Sequence, residues 1–157
     1  MPNKHFYHST IGTLKITEEK EHIIGLYLLT NQDEVPEKMA DSPRSATLTE
    51  ACHQLDEYFA GARRDFDLPL QLHGSEFQQR IWQQLRRIPY GQVSSYGEVA
   101  LDAGYPRAAR AVGNACNRNH LAIVVPCHRV VAANSLGGFG HRMDIKLTLL
   151  RLEGYLK

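Results

Sequence analysis

The sequence lacks any apolar run long enough to span a membrane, and its N-terminal residues lack the apolar segment that signal peptides carry. Cysteine is scarce as well. The three cysteines, Cys52, Cys116 and Cys127, are an odd number without the spacing of a disulfide framework. Such usage is typical of a reducing compartment and leaves at least one free thiol. We therefore expect a cytoplasmic protein that does not associate with membranes.

Motifs for metal and nucleotide binding are also missing. The first half of the chain contains histidines, but they have neither ligand-type spacing nor a paired-cysteine partner. These histidines are His5, His8, His22, His53 and His73. Solvated or hydrogen-bonded imidazoles account for them, and no glycine-rich nucleotide fingerprint occurs elsewhere. We expect neither a metal site nor a cofactor.

Charge is nearly balanced over the chain but unevenly distributed along it. The formal net charge is +1, yet residues 1–73 hold 12 acidic against 7 basic side chains, net −5, and residues 74–157 hold 5 against 11, net +6. Between Ala103 and Met143 there are five arginines and no acidic residue. This asymmetry favours a polyanion partner for the second half, although chance variation in surface charge would produce it as well.

The first half is typical of a small antiparallel sheet followed by a helix. Residues 5–30 alternate and then run apolar, with polar breaks, which predicts three short strands. Residues 31–44, with two prolines and several charges, predict an exposed loop.

A helical repeat of apolar residues then begins near Ser45 or Thr47 and stops at Gly61. Cys52 lies on its apolar face and is predicted to be in the core. The extended stretch 65–72 marks the expected domain boundary, so the domains would be residues 1–72 and 73–157.

The second half opens with a predicted helix. Ser75 and Gln78 form a capping box, and the apolar stripe that follows ends at the Pro-Tyr-Gly of residues 89–91. Trp82 lies on this stripe and is predicted to be a core residue. At the other end of the chain, Asp144 is a candidate N-cap for a last helix that stops at Gly154.

Between them lies the outline of a helix-turn-helix. Ser95 and Glu98 form a second capping box for a short helix that stops at Gly104, and Pro106 is placed in the first turn of a helix over residues 107–117. Many short helical hairpins share this outline. The second helix carries arginines and asparagines on one face and otherwise small side chains, so it could approach an opened minor groove.

The stretch of residues 124–131, Val-Val-Pro-Cys-His-Arg-Val-Val, places a thiol, an imidazole and a guanidinium side by side. A core strand has no packing reason to hold these groups together, and proline within a strand pattern indicates an edge or a bend. We interpret Cys127 as a reactive sulfur at the end of a strand over residues 122–125. His128 and Arg129 would supply a positive field that lowers its pKa. A buried structural cysteine is the alternative that these residues alone leave open.

Pro126–Val130 resembles the active-site signature of the O6-alkylguanine-DNA alkyltransferases, the methylated-DNA–protein-cysteine methyltransferases. The resemblance extends from Phe77 to Gly154 in family order and spacing and is weak over the first half of the chain. Its further motifs are Ile88–Gly91, Ser95–Tyr96, Arg107–Gly113 and Glu153–Gly154.

The resemblance implies a fold and a reaction. The fold would be α+β, with an N-terminal ribonuclease H-like domain of sheet and helix and a mostly helical C-terminal domain with a winged helix-turn-helix-like element. The reaction would be a stoichiometric transfer of the alkyl group from O6-alkylguanine, and from O4-alkylthymine, to Cys127. His128 would accept the thiol proton through a water, Glu153 would orient His128, and Asn119 would brace the turn.

The resemblance also implies how alkylated double-stranded DNA is bound. The second helix would enter the minor groove, Arg110 would replace the extruded base, and Tyr96 would turn the phosphate and donate to the base. The carbonyl oxygens of Cys127 and Val130 would accept from the guanine amine. The full expected set is Tyr96, Val130, Phe139 and Gly140 at the base and Arg110, Tyr96, Ser95, Arg107, Ala109 and Asn114 on the DNA.

Two features bear on substrate range. Family members often carry a glycine pair where this chain has His141 and Arg142. The resemblance also places Cys116 in the pocket wall, where it would be either a small filler or a second reactive thiol.

We expect a monomer that could cluster on DNA. The main alternative functions are a non-catalytic module that binds alkylated bases and a cysteine hydrolase. The presence of Cys127 disfavours the first, and the adjacent position of His128 disfavours the second.

Overall fold

The structure is a computed structural model and describes residues 2–29, 45–138 and 142–157. The chain forms two compact units, Met1–Leu72 and His73–Lys157, and the fold is α+β, as predicted. The loop expected over residues 31–44 lies outside the described residues. In the part that the structure describes, no helix has the length and apolarity needed to cross a membrane.

The first unit is built on an antiparallel sheet in the order β1-β2-β3, which confirms the three predicted strands. The strands are β1 (Asn3–Ser9), β2 (Gly12–Glu19) and β3 (His22–Leu28). Lys20 and Glu21 join β2 to β3 with φ of 52° and 66°. Two successive positive φ angles match the twist of a two-residue hairpin, although neither residue is a glycine.

Helix α1 (Ala46–Phe59) follows the sheet, and Ser45 caps it by accepting a hydrogen bond from the Leu48 N–H at 3.0 Å. The predicted helix is therefore confirmed, and it ends before Gly61, whose φ is 77°. Its buried residues are Leu48, Ala51, Gln54, Leu55 and Tyr58. Cys52 is only partly buried, so its predicted core position is wrong: Gln54, a polar residue, occupies the buried face instead.

Gln54 is buried because it serves as a clamp for the chain that leaves the helix. Its amide Nε2 donates to the Asp67 carbonyl oxygen, and its Oε1 accepts from the Asp67 N–H, both at 2.9 Å. Beyond this clamp, the Ile23 N–H donates to the Pro69 carbonyl oxygen at 2.7 Å, which holds the extended stretch against β3. The amide thus takes the place of a backbone partner for an irregular segment.

The second unit contains four helices and a two-stranded parallel sheet among its described residues. The elements are α2 (Glu76–Leu85), β4 (Ser94–Ser95), α3 (Tyr96–Asp102), α4 (Ala109–Asn117), β5 (Val130–Val131) and α5 (Met143–Leu152). Both predicted capping boxes are present, at Ser75 and at Ser95. Trp82 is a core residue, as predicted, and its indole N–H donates to the Ala115 carbonyl oxygen at 2.9 Å, which ties α2 to α4.

Two predicted helix starts are wrong. Helix α4 begins at Ala109 and not at 107, because Pro106 lies in a turn closed by the Ala108 N–H on the Tyr105 carbonyl oxygen, and Arg107 has a φ of 78° that no helix accommodates. Helix α5 begins at Met143, and Asp144 lies within its first turn. Asp144 pairs there with Arg142 and does not act as the N-cap.

We expect Gln54→Ala to lower the free energy of unfolding of the first unit by about 1–3 kcal/mol, because it leaves the N–H and C=O of Asp67 without their partner. Urea denaturation measures this change. His53→Ala, on the exposed face of the same helix, is the control and should stay within about 0.5 kcal/mol. Equal effects of the two substitutions would contradict the clamp.

Candidate active site

Cys127 is carried by a turn. Residues 122–125 form a turn and a bend, with the Val125 N–H donating to the Leu121 carbonyl oxygen at 2.9 Å and Ile123 at a φ of 71°. The predicted strand over residues 122–125 is therefore wrong. Its β-branched residues are typical of a strand, but a positive φ at one of them breaks any strand. Pro126 (φ −82°, ψ 68°) makes an inverse γ-turn, and Cys127–Arg129 is a single 3₁₀ turn that leads into β5. We call residues 119–129 the thiol turn.

Asn119 holds the thiol turn together. Its amide Nδ2 donates to the Val125 carbonyl oxygen at 2.8 Å and to Cys127 Sγ at 3.3 Å, and its Oδ1 accepts from the Leu121 N–H at 2.9 Å. One side chain thus fixes both ends of the loop and contacts the sulfur. Ile123 has a left-handed backbone conformation, which costs about 1–3 kcal/mol. The hydrogen bonds of Asn119 offset this cost.

The His128 imidazole binds a buried acid. Its Nε2 lies 2.7 Å from Oε2 of Glu153, and both side chains have no exposed surface. Glu153 is the C-cap of α5. Nδ1 of His128 is buried and has no hydrogen-bond partner among the described residues.

Arg129 completes this buried cluster. It binds Glu153 with two bonds, Nε to Oε1 at 2.8 Å and Nη2 to Oε2 at 3.0 Å, and its Nη1 donates to the Ile88 carbonyl oxygen at 2.7 Å. A paired arginine supplies no free positive charge to the neighbouring sulfur. The prediction that Arg129 helps to lower the pKa of Cys127 is therefore wrong.

The ionisation states follow from the cluster. Burial by itself raises the pKa of Glu153, but the hydrogen bonds from His128 and Arg129 outweigh it and bring the pKa to about 2. An ionised carboxylate can only accept, so Nε2 of His128 carries the proton. Burial lowers the pKa of His128, against the opposing bond to Glu153, so the imidazole is neutral at pH 7 and its Nδ1 is a proton acceptor.

The thiol itself is protonated at rest. Burial raises the pKa of Cys127, while the Asn119 bond and the charge of Lys146 work in the opposite direction. The sequence pattern predicts a lowered pKa for Cys127. This prediction is wrong, because the residue is only 8% exposed and burial raises the pKa of its thiol. A thiol of this kind needs a base before it can attack.

Tyr96, the first residue of α3, and Cys116 in α4 lie within electrostatic range of Cys127. Burial raises the pKa of the Tyr96 phenol and outweighs the opposing effect of the Gly138 backbone, so the hydroxyl stays a proton donor. Burial also raises the pKa of Cys116, and this disfavours a second reactive thiol. A Cβ atom on Gly137 would lie 3.3 Å from the Tyr96 hydroxyl oxygen, which leaves little room there.

Sequence reasoning missed Lys146. This residue of α5 has no exposed surface, and its Nζ donates to the carbonyl oxygens of Val130 at 2.6 Å and Gly138 at 3.1 Å. The available signal was its position: Lys146 lies three and four residues before Leu149 and Leu150, on the apolar stripe of α5.

The residues expected to contact DNA lie at the helix-turn-helix. Arg110, Ala109 and Asn114 are exposed on α4, Arg107 is exposed in the preceding turn, and the Ser95 hydroxyl is engaged in capping α3. Phe139 and Gly140 lie outside the described residues. Within the described ranges, no group of three or more His, Cys, Asp or Glu side chains could hold a metal ion.

Comparison with known proteins places this geometry in a family. Residues 76–155 match the 6-O-methylguanine DNA methyltransferase, DNA binding domain, and residues 3–72 match the 6-O-methylguanine DNA methyltransferase, ribonuclease-like domain. The chain is 47% identical to a methylated-DNA–protein-cysteine methyltransferase of Mycobacterium leprae, over 92% of this chain and 88% of the relative. It is 46% identical to the constitutive methylated-DNA–protein-cysteine methyltransferase of Bacillus subtilis, over 91% and 90%.

Solved structures agree. The crystal structure of Mycobacterium tuberculosis O6-methylguanine methyltransferase superposes with a TM-score of 0.85 at 42% identity, covering 98% of this chain and 93% of that chain. The same enzyme in complex with DNA gives a TM-score of 0.84 at 41% identity, covering 96% and 91%. The chain therefore belongs to the 6-O-methylguanine DNA methyltransferase family.

Proposed function

We propose that this protein repairs alkylated DNA by transferring the alkyl group of O6-alkylguanine, and of O4-alkylthymine, to the sulfur of Cys127. The observation that carries the proposal is the buried pair of His128 and Glu153, which leaves Nδ1 of His128 as a proton acceptor one residue after the thiol. The names of the M. leprae and B. subtilis relatives support the same reaction.

The proposed transfer is a single displacement. A water bridges the Cys127 thiol to Nδ1 of His128, which takes up the proton while Glu153 stabilises the resulting imidazolium. The thiolate attacks the alkyl carbon, the S–C bond forms as the O–C bond breaks, and the bonding pair leaves with the guanine oxygen. Tyr96 donates to the leaving base, and the proton taken from the thiol restores neutral guanine. The thioether is stable, so one molecule repairs one lesion, and no cofactor takes part.

The base has to leave the helical stack before it can reach a buried sulfur. We infer that α4 enters the minor groove and that Arg110 fills the vacated space, which offsets part of a flipping cost of about a few kcal/mol. Ser95, Arg107, Ala109 and Asn114 would position the backbone around it. The exposed arginine and small side chains of α4 support this mode of binding.

The base pocket would lie where the thiol turn leads into β5. The carbonyl oxygens of Cys127 and Val130 would accept from the guanine amine, and Phe139 and Gly140 would close over the base. We further propose a cytoplasmic monomer that can cluster on DNA. The three free cysteines, Cys52, Cys116 and Cys127, support a reducing compartment.

Cys127→Ala should bind methylated duplex DNA but leave the methyl group on it, because the acceptor sulfur is gone. The measurement is peptide mass after incubation with O6-methylguanine DNA. The wild type should gain one methyl group on the Cys127 peptide and then stop. Cys52→Ala, the control at a thiol of the first unit, should transfer normally. Tight binding without any mass change in the wild type would support a lesion-binding module instead, and repeated turnover would support a hydrolase.

Arg110→Ala should slow repair in duplex DNA by about ten-fold, because a base-replacing side chain offsets part of the flipping cost, and about 1.4 kcal/mol corresponds to that factor. Reaction with free O6-benzylguanine, which needs no flipping, should change little. Single-turnover rates with duplex DNA and with free O6-benzylguanine measure the two effects. Arg86→Ala removes another exposed charge, at the end of α2, and is the control. Equal losses with both substrates would contradict the base-replacing role of Arg110.

Glu153→Gln should reduce the transfer rate by about ten-fold or more, because a neutral amide stabilises neither the imidazolium of His128 nor the Arg129 charge. It should also destabilise the fold at pH 7 by about 3–5 kcal/mol, the usual effect of breaking a buried ion pair. Single-turnover transfer and urea denaturation measure the two effects.

The stability difference should depend on pH in a defined direction. The folded-state pKa of Glu153 is about 2, below its usual 4.5. Its ionised form therefore stabilises the fold above pH 4.5, and this contribution, about 3 kcal/mol, is lost as the pH falls toward 2. The gap between wild type and Glu153→Gln should shrink over that range. Glu76→Gln, an exposed acid of α2, should show no such trend, and a constant gap for Glu153→Gln would contradict the assigned ionisation.

A further inference from the structure

The three-stranded sheet of the first unit has two different faces. Tyr7 of β1 donates a hydrogen bond to the Asp56 carboxylate of α1, so the side chains in phase with Tyr7 face this helix. Leu14, Ile16 and Leu26 share that face and are buried. Since α1 is the one helix among the described residues of this unit, no described helix of the unit covers the opposite face of the sheet.

The opposite face carries aromatic and basic side chains in register. Phe6 pairs with Lys15, and Lys15 pairs with Tyr27, so all three strands contribute to one row. The neighbouring row begins with the exposed Lys4, and neither row contains an acidic residue. The first acid in the same alternation along β2 is Glu19, at its hairpin end. This surface, which we call the outer sheet face, is therefore basic within a half of the chain whose net charge is −5.

The aromatic ring of Tyr27 lies flat on this face and is open to solvent. A Cβ atom on Gly25 would collide with the ring, so the ring covers the strand at a position where only a glycine leaves room for it. Tyr27 is nevertheless 42% exposed. The Lys15 Nζ lies 5.3 Å from the centroid of the Tyr27 ring, within the range of a cation–π interaction. The outer sheet face thus presents an exposed ring with an ammonium group beside it.

We propose that the outer sheet face binds single-stranded DNA: unpaired bases stack on its two aromatic rings, and its two lysines contact the phosphates. Aromatic side chains on an open sheet beside basic ones are the combination that binds unpaired bases. A duplex keeps the faces of its bases covered, and an acidic peptide would use the lysines but not the rings. The second unit matches a DNA binding domain, so DNA is the nucleic acid at hand. This site is separate from Cys127 and requires no alkylated base.

The test is an NMR titration of the ¹⁵N-labelled whole chain with an unmodified oligothymidylate of about eight residues. The amide signals of β1, β2 and β3 report binding at this face separately from the helix-turn-helix. Tyr27→Leu keeps an apolar cover over Gly25 but removes the ring, and it should raise the dissociation constant read from these signals about ten-fold, the loss expected for one stacked base. Tyr27→Phe keeps the ring and should bind as the wild type does. Lys15→Met should weaken binding and reduce its salt dependence by about 0.7 in the log–log slope.

Tyr155→Leu is the matched control, because it removes a tyrosine that is 41% exposed in the second unit and should leave the titration unchanged. Wild-type signals that move only in the second unit, or equal dissociation constants for Tyr27→Leu and the wild type, would overturn the proposal. If Tyr27→Leu did not fold, an unchanged titration of Lys15→Met would overturn it. Tighter binding of oligouridylate would assign the face to RNA, and shifts on dilution without DNA would assign it to a second copy of the chain; either result would overturn the proposal. Failure of the wild type to accept a methyl group would contradict the repair reaction alone and leave this titration standing.

Discussion

The ion cluster around Glu153 is the interaction on which the site depends. One carboxylate, at the end of α5, accepts from His128 and from two nitrogens of Arg129, and all three side chains are buried. Arg129 in turn reaches the Ile88 carbonyl oxygen. Removing Arg129 or Glu153 would leave an uncompensated charge in the interior, which is far more costly than never having buried the group. The cluster therefore fixes the 3₁₀ turn of Cys127 and the tautomer of His128 at the same time.

The motif at residues 88–91 gains a physical explanation from the same cluster. The Tyr90 hydroxyl donates to the Leu152 carbonyl oxygen at 3.2 Å, and a Cβ atom on Gly91, at a φ of 80°, would lie 3.1 Å from the Glu153 carbonyl oxygen. Only a glycine allows this close approach at such a backbone angle. The segment after α2 thus packs against the C-terminus of α5. The position of the Glu153 carboxylate therefore depends on contacts with residues distant in sequence.

Much of the fold could be predicted because its signals are local. Capping boxes at Ser75 and Ser95 and the alternation of the first three strands each specify their element within a few residues. The thiol turn could not be predicted in the same way. Its residues are good strand formers, and only the Asn119 bonds and the left-handed angle at Ile123 show that they turn. Lys146 was missed for a related reason, since a lysine on an apolar stripe is normally assigned to solvent, and its two acceptors come from other segments.

The short ladder of β4 and β5 has a mechanical consequence. Ser94 pairs with Val130 and Ser95 with Val131, while the Ser95 side chain caps α3. Ser95 thus caps the first helix of the helix-turn-helix and pairs with the backbone that continues from the thiol. Because two backbone pairs join β4 to β5, a displacement of that helix would act directly on the strand that follows the nucleophile.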